Sequence, residues 1–156
     1  MSASYEEIIE GESLIRSPPP ARHEAICDRL HAQVAASLVG NPTARLLAPR
    51  SLVEISAGTL LRPDLALVTA ATGKVWLVAE IISSVDHRWD TVTKKQLYED
   101  RKIPRLWMVD PRYDNVEIYH ASPHGMMLKE ILAGREELTE ALLPTLRLKM
   151  CELFGT

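Results

Sequence analysis

Pro63-Asp64 and Glu80 are the residues of this 156-residue chain whose types and spacing first suggest chemistry. Glu80 interrupts Val75-Trp76-Leu77-Val78-Ala79-Glu80-Ile81-Ile82, the most apolar run in the sequence. Near-continuous apolar character of that length predicts a strand buried on both faces, central in a sheet. A carboxylate buried there without compensation is costly. A salt bridge to a core arginine would supply the compensation, and so would a bound metal ion. Pro63-Asp64 opens the preceding apolar run, and a tight turn at 71–74 makes the two runs antiparallel neighbours. Two carboxylates at one side of a sheet offer the hard oxygen ligands that Mg²⁺ or Mn²⁺ prefers. A Pro-Asp pair is also a common loop-to-strand junction.

The elements that must position these residues follow from periodicity. Tyr5 to Ile9 and Ser13 to Ile15 flank Glu10-Gly11, which predicts an N-terminal β-hairpin. After Pro18-Pro19-Pro20, apolar residues recur every fourth position at Ile26, Leu30, Val34 and Leu38, placing a helix over about residues 22–39, stopped by Gly40-Asn41-Pro42. Short apolar and β-branched runs at 46–47, 52–55, 65–69 and 75–82 read as strands. Asp90 is placed to cap a second helix that reaches about Arg101. Residues 105–109 form a further buried strand ended by Asp110-Pro111. Residues 116–120 and 126–132 pair as a hairpin, and 146–150 alternates like an edge strand. The expected fold class is α/β, a central mixed β-sheet flanked by helices with an N-terminal β-hairpin, in one domain over residues 1–156.

Composition narrows the classes. With 46% hydrophobic and 25% charged residues, the chain can bury a core, which argues against disorder. Net charge is −3, so no overall basic signal points to nucleic acid, but the acidity is concentrated in Glu6, Glu7, Glu10 and Glu12. Cys27 and Cys151 are the only cysteines, too sparse for a zinc cluster or a disulfide scaffold. No signal peptide or membrane span is evident. A reduced, cytoplasmic protein with no membrane partner is expected.

Several motifs together resemble one family. Pro63-Asp64, then Glu80-Ile81-Ile82-Ser83-Ser84, then Asp90, Lys94 and Tyr98, then Pro104 and Leu106-Trp107-Met108-Val109-Asp110-Pro111 are similar to the Uma-type restriction endonuclease family, a branch of the PD-(D/E)xK nuclease superfamily. The likeness extends to the Tyr5–Ser17 hairpin, to His23, and to the closing Leu142-Leu143-Pro144 and Glu152-Leu153-Phe154. Ser84 stands where the family usually has proline and Lys102 where it has glycine, both turn positions.

The resemblance implies a restriction-endonuclease-like fold and a metal-dependent DNA endonuclease using Mg²⁺ or Mn²⁺. Asp64 and Glu80 would be metal ligands, with the backbone carbonyl of Ile81 a third contact. Most of the superfamily carries its catalytic lysine two residues after the acidic one, and here that position is Ile82. Lys94 offers a replacement, since Asp90, Lys94 and Tyr98 share a helical face directly after the Glu80 strand. A long flexible stem can reach back from there. Glu24 and His23 on the first helix are candidates to support the metal shell. Arg88, Trp89 and Lys95 are candidate DNA contacts, the first and last through phosphates and Trp89 by stacking. Each has a plainer reading: Lys94, Lys95 and Glu24 as solvated helix residues, Asp90 as a helix cap, Tyr98 as packing and Trp89 as a core lid. A homodimer is expected if both DNA strands are cut. The alternative function is a catalytically inactive nuclease-fold module for DNA binding or regulation, which Ile82 favours.

Overall fold

A computed structural model describes residues 3–83 and 85–156. Its backbone is a six-stranded mixed sheet with a layer on each face. The hairpin β1 (Tyr5–Ile9) and β2 (Glu12–Arg16) leads into α1 (Ala21–Ser37), then β3 (Ala44–Leu46), β4 (Val53–Ser56), β5 (Thr59–Leu61), β6 (Leu65–Thr69) and β7 (Val75–Ile81). A π-helical turn, Trp89–Lys94, runs into α2 (Lys95–Asp100). β8 (Arg105–Asp110), β9 (Asn115–Ser122), β10 (Gly125–Ala133), β11 (Glu137–Glu140), β12 (Leu143–Lys149) and α3 (Met150–Phe154) complete the chain.

The central sheet has the order β10-β9-β8-β7-β6-β3. Only β7 and β8 are parallel, as their connection through the π-helical turn and α2 requires. β7 is therefore interior, as its apolar run predicts. Strand alternation splits its side chains between two cores. Leu77, Ala79 and Ile81 join Leu65, Leu67 and Trp107 against α1 and the β11–β12 hairpin. Val78 joins Ala66, Leu106 and Met108 against Tyr98 of α2 and Val53, Ile55 and Leu61 of the smaller sheet β2-β1-β5-β4.

The N-terminal hairpin turns at Glu10 and Gly11, both in the left-handed region at φ 49° and 82°, as a two-residue hairpin loop demands. Lys102 also sits there, at φ 54°, a conformation that a glycine adopts without steric cost. Ser84, the other expected turn position, lies outside the described residues.

Two expectations need correction, and one strand was not expected. The segment Thr59–Leu61 is a strand, pairing both β4 and β1, although three residues after Gly58 carry too short a pattern to read. The C-terminal stretch holds a two-stranded hairpin and a short helix rather than a lone edge strand. Asp90 does not cap its helix. It is the second residue of the π-helical turn and 2% exposed, because Arg16 and the amide of Ser83 draw its carboxylate inward.

Leu77 has no exposed surface and lies where β7 meets the α1 layer. Leu77→Ala should lower unfolding free energy by about 2–5 kcal/mol, read as a fall in the urea midpoint at unchanged slope.

Candidate active site

The antiparallel pairing of β6 with β7 sets Leu65 opposite Ala79, which brings Asp64 and Glu80 to the same end of the sheet. Both are almost fully buried, at 3% and 2% exposure. Their environments differ. Asp64 Oδ2 accepts the Ile81 amide at 2.8 Å and lies 3.5 Å from His23 Nε2. Its Oδ1 faces Arg50 Nη1 at 3.1 Å. Burial opposes its charge, but the hydrogen bonds of His23 and Ile81 prevail and hold its pKa below the ordinary value. His23 Nε2 also lies 3.1 Å from the Ile81 carbonyl.

Glu80 projects into the opposite core beside Tyr98. Its Oε2 meets the Tyr98 hydroxyl and Lys94 Nζ at 2.7 Å. Lys94 has no exposed surface, so the solvated reading of this lysine does not hold. The same ammonium lies 2.8 Å from Glu7 Oε2. Ile82, the position the superfamily lysine would occupy, is buried at 2% and donates its amide to the Val109 carbonyl at 2.8 Å. The π-helical turn matters here. Its wider winding lets Asp90, Lys94 and then Tyr98 of α2 all enter the interior.

Glu7 is the member that sequence reasoning missed. It comes from the N-terminal hairpin, is fully buried, and accepts from Arg16 Nη1 at 2.7 Å, the Arg62 amide at 2.7 Å and Trp89 Nε1 at 3.3 Å. The available signal was strand alternation: Tyr5, Glu7 and Ile9 share one side of β1, and a carboxylate in the middle of that row asks for a partner. Arg16 was missed too; it also binds Asp90 Oδ1 at 3.1 Å. Trp89 is half-buried, and its indole nitrogen donates to Glu7 Oε1. Glu24 binds Arg50 at 2.8 Å. Arg88 is exposed, and Lys95 stacks over the Tyr119 ring at 4.4 Å.

Six carboxylates, Glu7, Glu24, Asp64, Glu80, Asp86 and Asp90, thus face three permanent cations, Arg16, Arg50 and Lys94. The excess negative charge falls on Glu80: burial first, then Asp64, Asp90 and Glu7, raise its pKa despite Lys94. Among the described residues no three His, Cys, Asp or Glu side chains converge as a ready-made metal cage. The donor chemistry nevertheless suits a divalent cation, since Asp64 and Glu80 are hard oxygen donors in a surplus of negative charge and Glu80 Oε1 accepts no hydrogen bond among those residues. A cleft of about 40 Å³ opens beside Asp64 and Ile81, walled by Tyr5, Arg16, His23 and Asp90. It admits an ion or a water molecule but no nucleotide. A larger groove of about 570 Å³, lined by Leu47, Ile55, Lys74 and Arg101, lies at the far end of the sheet and touches none of the predicted site residues.

Glu80 holds its proton more tightly folded than unfolded, so its contribution to stability is complete below the ordinary glutamate pKa and is lost as pH rises through the raised value. Urea unfolding followed upward from about pH 5 should show stability declining in the metal-free protein. Glu80→Gln should reduce that decline, leaving the part that comes from His23 and Asp90, whose pKa values are also raised, and an unchanged slope would exclude Glu80 as a source.

Comparison with known proteins bears on the fold and the family. No curated protein matches the chain. One solved structure similar to it is titled "Crystal structure of a putative nuclease belonging to DUF820 from Anabaena variabilis ATCC 29413"; at 16% identity it covers 96% of this chain and 89% of its own, with a TM-score of 0.77, which shows a shared fold. No helix is long and apolar enough to cross a membrane among the described residues. The family model Uma2, described as "Putative restriction endonuclease", matches residues 2–151. By that near-complete match, the chain belongs to the Uma2 family.

Proposed function

We propose that the protein is a divalent-cation-dependent DNA endonuclease that hydrolyses phosphodiester bonds, with Asp64, Glu80 and Lys94 as its catalytic residues. The observation that carries this reading is the buried contact of Lys94 Nζ with Glu80 Oε2 at 2.7 Å, at the sheet end where Asp64 also lies. It gives the acidic pair of a PD-(D/E)xK-type site a lysine from the helical segment, in place of the one that Ile82 lacks. Asp64 and Glu80 would hold Mg²⁺ or Mn²⁺, with the Ile81 carbonyl beside them. Such an ion, when bound, supplies an activated water and draws charge from the phosphate.

The chain's own groups have distinct tasks in this reading. Burial disfavours the Lys94 charge, but Glu80, Glu7 and Asp90 outweigh it and raise its pKa. Lys94 therefore stays protonated and acts as a donor, orienting the attacking water or stabilising charge on the phosphate. It is not the general base. Tyr98 is likewise kept neutral, its pKa raised by burial and by Glu80, and holds the Glu80 carboxylate by hydrogen bond. His23 and the Ile81 amide orient Asp64. The small cleft leaves DNA to approach at its mouth; Arg88, which is exposed, lies on the same helical segment as Lys95 and Trp89. Cutting both strands calls for a homodimer.

Plasmid nicking in Mn²⁺ tests the reading. Wild type should nick, and Asp64→Ala and Lys94→Met should each lose about 100-fold or more in rate. Equal rates in all three, or none in folded wild type, would favour the inactive DNA-binding or regulatory module.

A further inference from the structure

Lys94 lies between two carboxylates that are not equivalent. Glu7 Oε2 is 2.8 Å from the ammonium and Glu80 Oε2 is 2.7 Å from it. Glu7, on β1, is held by three further donors: Arg16 Nη1, the Arg62 amide and Trp89 Nε1. These fix its position, and despite burial its pKa lies below the ordinary value, so it stays charged. Glu80 has the Tyr98 hydroxyl as its other donor among the described residues. A cation drawing on Glu80 must compete with Lys94 for it. An ammonium fully buried and without a counter-ion is strongly unfavourable, so Lys94 needs a second partner within reach.

We propose that Glu7 is a positioning residue: it retains Lys94 as counter-ion when Glu80 turns to a divalent cation, keeping the ammonium at the reacting centre. This rests on the nuclease reading above and adds to it the N-terminal hairpin as a functional part of the site. In this role Glu7 touches neither the cation nor the DNA. It acts through Lys94 alone.

A double-mutant cycle read by calorimetric Mn²⁺ binding, without DNA, tests it. Glu7→Gln preserves shape and leaves Lys94 with Glu80 alone, so Mn²⁺ affinity should fall about tenfold or more. Lys94→Met should then raise affinity much more in the Glu7→Gln background than in wild type, because only there does the ammonium depend on Glu80. A purely structural role for Glu7 would lower thermal stability but leave the two effects on Mn²⁺ additive. If Glu7→Gln does not fold, Glu7→Asp, which keeps the charge but shortens the reach, replaces it in the cycle with the same non-additivity expected. Additive effects in folded variants overturn the role of Glu7 and leave the nuclease reading standing. Absence of Mn²⁺ binding by wild type removes the nuclease reading, and this inference with it.

Discussion

A lysine with no access to water constrains everything around it. The Lys94 ammonium can stay in the interior only if carboxylates meet it, and those come from β1 and β7, elements separated by most of the N-terminal half of the chain. Its own backbone belongs to a third element, the π-helical turn. One buried charge thus ties the N-terminal hairpin, the central strand and the helical crossover to one point. The hairpin is held as well by its strand pairing with β5, by hydrogen bonds to Gly58, Thr59 and Arg62, and by Arg16 on Asp90.

The same network explains why two neighbouring carboxylates behave differently. Asp64 sits among donors, from His23, the Ile81 amide and Arg50, and is held charged. Glu80 sits in an apolar core with one shared cation and feels the charge of its acidic neighbours. Environments that push two acids apart in this way are common where protons and cations are handled. The arrangement is also costly to disturb, since removing any one partner leaves another buried charge unpaired.

The acidic N-terminus changes meaning in the folded protein. In the sequence, Glu6, Glu7, Glu10 and Glu12 are one concentration of acidity. Folded, Glu6, Glu10 and Glu12 stay at or near the surface while Glu7 turns inward to Lys94, Arg16, Arg62 and Trp89. Identical side chains have opposite fates because strand alternation sends neighbouring residues to opposite faces.

The sequence by itself determined the strong local patterns: the Glu10-Gly11 hairpin, the four-residue spacing of α1, the apolar run of β7 and the β9–β10 hairpin. These signals are local, so turn chemistry and periodicity carry them without knowledge of the rest of the chain. It also marked Glu80, because a carboxylate in an apolar strand is an anomaly at any position; Asp64 stood out as its neighbour on the preceding strand, and Lys94 through the family resemblance. Only the tertiary structure decided who meets them. Glu7, Arg16 and Arg50 reach the site across long stretches of chain; strand alternation marks Glu7 as inward-facing without naming its partner, and nothing in the neighbourhoods of Arg16 and Arg50 distinguishes them from surface charges. β5 and β11 are three- and four-residue strands whose identity comes from the partners they pair with. Asp90 lost its expected role as a cap for the same reason: Arg16, distant in sequence and adjacent in space, gave its carboxylate a buried partner.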